Sequence, residues 1–122
     1  MTTTLITGAN KGLGKETARL LVAAGHMVWL GSRDETRGRS AADEVGARYV
    51  QLDVTDDASV AAAVRTIADA GTGLDVLVNN AGIAKRNGGA GEALDSASVL
   101  EVYDTNVVGV VRMTEAALPL LA

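Results

Sequence analysis

The sequence predicts an α/β fold: a doubly wound parallel sheet with strands in the order 3-2-1-4. Three observations carry that prediction. Short apolar runs alternate with amphipathic stretches in the order β-α-β-α-β-α-β-α, a pattern that builds a parallel sheet with helices on both faces. The apolar runs are continuous rather than alternating, which fits strands buried on both sides. A glycine-rich turn, Thr7-Gly8-Ala9-Asn10-Lys11-Gly12-Leu13-Gly14, follows the first run and opens the first helix. Right-handed crossovers restrict the topology, and ligands are expected outside the carboxyl ends of the strands.

Each element has its own signal. Residues 2–6 read as a buried strand. In residues 13–24, Leu13, Thr17, Leu20 or Leu21, and Ala24 recur at helical spacing. Gly25 suits the position just past the helix end. Met27-Val28-Trp29-Leu30 is the second strand. Asp34 can cap a charged helix running to Val45, with Gly46 as its stop. Residues 48–52 form the third strand. Asp56 or Asp57 caps the next helix, whose Val60, Val64 and Ile67 mark one face, and Gly71 and Gly73 break it. Residues 75–79 are the fourth strand, and residues 80–95 read as a loop centred on Gly88, Gly89 and Gly91. A long helix is expected from about Ser96, with Val99, Val102 or Tyr103, Val107, Val110 or Val111, Thr114 and Leu118 near one face. Pro119 ends or bends it.

Bulk composition narrows the function classes. The 122 residues suffice for one compact domain, and 48% hydrophobic content supports a core built from Val, Leu, Ile and Ala, since Phe is absent. A net charge of −4 argues against nucleic-acid binding through phosphate electrostatics. Without cysteine there is no disulfide or thiolate metal site, and the single His26, after the glycine that ends the first helix, reads as a polar loop residue. No metal is expected. No apolar run reaches membrane-spanning length and no signal-peptide core is evident, so a cytoplasmic location is the expectation.

The glycine turn has the chemistry of a phosphate cradle. Glycines allow a sharp turn and close backbone approach, and the free N–H groups of a helix start face an anion. Surface turns also collect glycine, so the cluster alone leaves both readings open. Asp53 can likewise be a strand-end carboxylate, and Asn79 and Asn80 can cap a turn. Asn106 is a poor helix-interior residue because its amide competes for backbone hydrogen bonds. It therefore marks either a local bend with a satisfied side chain or a functional group.

Taken together, T-G-x-x-x-G-x-G at 7–14, Asp53 after the third strand, Asn79-Asn80-Ala81-Gly82 after the fourth and Asn106 in the following helix resemble the short-chain dehydrogenase/reductase family. The wording of Asn10-Lys11-Gly12, Ser32-Arg33-Asp34 and Gly73 to Ala84 is most similar to its carbonyl-reductase-like branch. The resemblance covers essentially the whole chain and implies a Rossmann-type domain. It implies cofactor contacts by Gly8, Asn10, Lys11, Gly12, Leu13 and Gly14 in the turn. It adds Asp53 at the adenine amino group with Val54 beside it, and Asn80, Ala81 and Gly82 along the ribose. Asn106 matches the family's catalytic asparagine, where the helix distorts and a carbonyl holds a water in a proton relay.

The cofactor can be read further. An NAD enzyme usually places an acid at the end of strand two, for the ribose 2′-hydroxyl. Here Gly31-Ser32 stand there, Arg33 follows, and Lys11 lies in the turn. Two cations suit a 2′-phosphate, so NADP(H) is expected in preference to NAD(H). Solvated surface charge is the alternative for both cations. The family's Ser and Tyr-x-x-x-Lys have no counterpart here, because Tyr49 is followed four places on by Asp53, and Tyr103 by Val107. The resemblance therefore implies a cofactor-binding domain over 1–122, cut before strand five, with one catalytic group of four. Hydride transfer to a small carbonyl or from an alcohol is expected of the complete enzyme. A non-catalytic dinucleotide sensor or regulator is the alternative, and the chain is expected either to associate with like chains through the fourth strand's edge or the last helix or to be marginally stable.

Overall fold

The computed structural model describes residues 1–83 and 95–121. The elements run β1 (Thr3–Ile6), α1 (Gly12–Ala23), β2 (Met27–Ser32), α2 (Glu35–Val45), β3 (Arg48–Gln51), α3 (Asp57–Asp69), β4 (Val76–Val78), α4 (Ser96–Tyr103), a π-helical turn (Asp104–Val108), α5 (Gly109–Ala117) and a 3₁₀ turn (Leu118–Leu120). The strands form one sheet in the order β3-β2-β1-β4, all parallel, with Leu5 opposite both Trp29 and Leu77. This is the expected doubly wound topology. Of the loop expected over 80–95, the part at 84–94, with its three glycines, lies outside the described residues.

Successive strand residues point to opposite faces, and the core divides accordingly. On one face Leu5, Trp29 and Val50 meet Val60, Ala63 and Ile67 of α3 and Met113 and Ala117 of α5. On the other, Ile6, Val28 and Leu30 meet Ala18 of α1 and Ala41, Ala42 and Val45 of α2. The central strand β1 is buried along its whole length, as its unbroken apolar and threonine sequence requires.

Helix ends follow the sequence closely. Asp34 accepts a hydrogen bond from the Arg37 N–H at 2.9 Å, and Gly46 closes α2 in the left-handed conformation. Asp56, not Asp57, caps α3, accepting from the N–H groups of Ala58 and Ser59. After α1 the N–H of His26 returns to Leu21 O and that of Gly25 to Val22 O, the paired closure expected for a helix ending at glycine.

Two helix faces depart from expectation. On α1 the fully buried residues are Gly14 and Ala18, with Leu21 half-buried against the same core, while Leu13 and Leu20 are exposed. The helix approaches the sheet closely, so the smallest residues occupy the contact. On α4 and α5 the inward stripe is Thr105, Gly109, Met113 and Ala117. Of the expected valine face, Val99, Tyr103, Val107, Val111 and Leu118 are exposed, while Thr114 and the alternatives Val102 and Val110 are half-buried. The π turn inserts a residue into the helical repeat, so periodicity counted across it picks the wrong side. Beyond α5, Leu121 bridges Leu74 in parallel, beside β4, the last full strand on that edge.

Candidate functional site

The connections from β1 and from β4 leave toward different sides, and the crevice outside their carboxyl ends is where such sheets bind ligands. A cleft of about 420 Å³ opens there, lined by the turns after all four strands. Its walls are locked together by Thr7 at the end of β1. The buried Thr7 hydroxyl accepts from the N–H groups of Asn80 (3.0 Å) and Ala81 (2.9 Å). The Asn80 side-chain amide donates back to Gly8 O at 3.1 Å.

Two glycines permit this lock. Gly8 has φ +60°, and a Cβ there would stand 2.7 Å from Ala81 Cα. A Cβ at Gly14 would lie 2.3 Å from Asn80 Nδ2 and 3.0 Å from Ala9 Cα. The glycine turn is thus needed for contact between protein segments as well as for any ligand.

The start of α1 differs from the other helix starts. Aspartates cap α2, α3 and α4 through their side chains. At α1 the cap position is Lys11, with no side-chain cap bond and no acid in the first turn. The first N–H groups of a helix lack intrahelical partners and carry partial positive charge. Here they sit beside an ammonium on the cleft wall, an arrangement suited to an anion.

Further charge lines the same wall. Arg33 follows buried Ser32, and Arg37 stands one helical turn later. Asp34 also borders the cleft, but one carboxylate oxygen is engaged in capping α2. Asp53 lies across from them. Its Oδ1 accepts from both the N–H (3.0 Å) and the hydroxyl (2.6 Å) of Thr55. Burial pushes the Asp53 carboxyl up, but the Thr55 bonds and the charges of Arg33 and Arg112 outweigh it and hold the group below the ordinary aspartate value.

Asn106 lies at the centre of the π turn. Its side chain makes a reciprocal pair with Ile83, Oδ1 accepting from the Ile83 N–H at 2.8 Å and Nδ2 donating to Ile83 O at 2.9 Å. The bend and the satisfied amide are both present. The side chain thereby fixes the loop after β4 to the distorted helix.

Of the residues singled out in the sequence, Gly8, Asn10, Lys11, Gly12, Arg33, Asp53, Val54, Asn80, Ala81 and Gly82 all border the cleft. Three do not. Gly14 packs beneath it against Asn80, Leu13 is exposed at the helix start, and Asn106 stands behind Ile83. Sequence reasoning passed over Arg37, Thr55 and Thr105, which also line it, as does Ile83 at the start of the loop after β4. The four-residue spacing from Arg33 to Arg37 was a readable signal; Thr55 and Thr105 had none beyond adjacency to residues already chosen.

A parallel 3-2-1-4 sheet with an uncapped glycine turn at the switch point defines a Rossmann-type nucleotide-binding domain. The short chain dehydrogenase family model matches residues 2–122, and the chain belongs to that family of oxidoreductases with NAD(P)-binding Rossmann folds. It is 46% identical over 121 residues to a putative ketoacyl reductase of the monensin polyketide synthase from Streptomyces virginiae, covering 93% of this chain and 45% of that protein. It is similar to 3-ketoacyl-(acyl-carrier-protein) reductase from Brucella melitensis, solved with NADH, at 32% identity and TM-score 0.89, covering 98% of this chain and 49% of that one. Actinorhodin polyketide ketoreductase, solved with NADPH, matches at 34% identity and TM-score 0.85, over 96% and 46% of the two chains. The chain thus spans about half the length of these relatives. Among the described residues no helix is long and apolar enough to cross a membrane.

Proposed function

We propose that residues 1–122 form the cofactor-binding domain of a short-chain reductase that takes NADP(H) in preference to NAD(H). In the complete enzyme, hydride would pass between the nicotinamide and a small carbonyl or alcohol. One observation carries the reading. The uncapped start of α1 opens onto the cleft between Lys11 and Arg33, and the end of β2 offers Gly31 and Ser32 in place of a carboxylate.

The residues fit such a cofactor. Gly8, Gly12, Ala81 and Gly82 give the cleft small lining residues that allow close approach of a ligand. The α1 amides would hold the pyrophosphate, with Lys11 and Arg33 gripping a 2′-phosphate. Asp53 would accept from the adenine amino group beside Val54, and Asn80, Ala81 and Gly82 would border the ribose. When bound, the nicotinamide supplies or accepts the hydride. Asn106 keeps the π turn against the loop after β4, where a main-chain carbonyl of the turn can hold a relay water. Neither tyrosine serves as the general acid in this reading. The Tyr49 hydroxyl donates to Ser32 O at 2.9 Å, and burial, with the charge of Glu35, pushes its pKa up. Tyr103 is exposed on α4.

Calorimetric titration with NADPH and NADH at matched low salt tests the proposal. NADPH is expected to bind at least about tenfold more tightly, the worth of one charge-assisted contact. Negligible binding of both would remove the nucleotide assignment; a preference for NADH would remove the roles of Lys11 and Arg33. Association of like chains belongs to the same reading, through the exposed valine face of α4 and α5. Sedimentation should show a dimer or larger that Val107→Asp with Val111→Asp disperses, and a wild-type monomer at all concentrations would contradict it.

A further inference from the structure

Arg112 is assigned no contact with the cofactor, and beyond its charge near Asp53 it makes some of the most far-reaching side-chain contacts among the described residues. It sits on α5 with its side chain only 19% exposed. Its Nη1 donates to the main-chain carbonyl of Val54, on the cleft wall after β3. Its Nε donates to Asp57 Oδ1 at 2.7 Å, at the start of α3. Its Nη2 reaches Asp104 Oδ1 at 3.4 Å, at the start of the π turn. Gly109 packs onto the same loop, since a Cβ there would lie 2.9 Å from Val54 Cγ2. Two residues past Asp104, Asn106 holds Ile83 through both of its amide atoms.

These contacts form a continuous path from the β3 side of the cleft to the β4 side. Val54 leads to Arg112, Arg112 to Asp104, and the π turn to Asn106 and Ile83. We infer that Arg112 is a positioning residue, which fixes the Asn106 turn against the Val54 loop and so sets the two cleft walls relative to each other. A guanidinium suits this task because its planar fork presents donors in fixed directions. A lysine ammonium gathers its donors at one point on a flexible stem and cannot span acceptors that Arg112 reaches through three separate nitrogens. The consequence for cofactor affinity rests on the nucleotide-binding reading; the mechanical link does not.

The test measures amide hydrogen exchange by NMR and NADPH affinity on the full chain, for R112M, R112K and D104N. R112M should speed exchange of the Ile83 amide at least tenfold, while the amides of Leu5 and Leu30 in the central strands stay within twofold. NADPH affinity should fall about tenfold, and R112K should recover less than half of either loss. D104N should speed Ile83 exchange in the wild-type background and add little to R112M. Uniform acceleration of all amides, or Ile83 unchanged within twofold in R112M, overturns the assignment. If R112M fails to fold, R112K and D104N give the same readout. If wild type binds no NADPH, the nucleotide reading fails while Ile83 exchange still decides the link.

Discussion

Gly8→Val is expected to abolish NADPH binding and to lower the unfolding free energy by roughly 2–6 kcal/mol, combining a strained backbone with overpacking. The φ of +60° at this position is one a β-branched residue can adopt only with strain. The new Cβ would also stand 2.7 Å from the Cα of Ala81, a main-chain atom that no side-chain rotation can move. The loop after β4 must therefore withdraw. Withdrawal breaks the bonds from Asn80 and Ala81 to Thr7 and from Asn80 to Gly8 O, which together close the cleft floor. Urea unfolding and nucleotide titration measure the two losses separately. Full NADPH affinity in a folded variant would show that the floor does not touch the ligand.

Arg33→Glu is expected to weaken NADPH roughly 10–150-fold, the equivalent of about 1.5–3 kcal/mol for one charged hydrogen-bonded contact. NADH should change by no more than about threefold, because it lacks the phosphate that a bidentate arginine grips. Ser32, next to Arg33, is buried, and Asp34 is engaged with the start of α2, so the substitution alters charge at the cleft mouth without disturbing the helix cap. The contact is exposed, and its effect should shrink as salt rises. Equal weakening of both nucleotides would move Arg33 from the 2′-position to the pyrophosphate or to a structural role, and would leave Lys11 and Arg37 to account for any preference.

The path of the chain was legible because it rests on local signals. Apolar runs, aspartate caps at Asp34 and Asp56, and glycine stops at Gly25 and Gly46 fix element order. Parallel strands with right-handed crossovers then leave few arrangements. Helix orientation was less legible. Gly14 and Ala18 face inward while Leu13 and Leu20 do not, because close packing on the sheet favours small residues where a hydrophobicity pattern favours large ones. The π turn at 104–108 shifts the helical repeat, so only Val102, Val110 and Thr114 of the expected face are half-buried, although the unfavourable Asn106 within the turn did flag the place.

The candidate site divides in the same way. Its backbone parts announce themselves through glycine and asparagine, whereas the side-chain bonds that assemble it join residues far apart in sequence. The Thr7 hydroxyl reaches across 73 positions to Asn80, and Arg112 reaches across 58 to Val54. A threonine in a strand or an arginine on a helix carries no local mark of such a partner. Asp56 was readable as a cap candidate, but nothing in the sequence marked that Asp57 and Asp104 would both meet one guanidinium.

The most direct trial of the account is a crystal structure of this chain grown with NADPH. It should place the pyrophosphate against the first-turn amides of α1 and the 2′-phosphate between the Lys11 ammonium and the Arg33 guanidinium. A pyrophosphate lying elsewhere, with those amides bonded to protein groups, would contradict it.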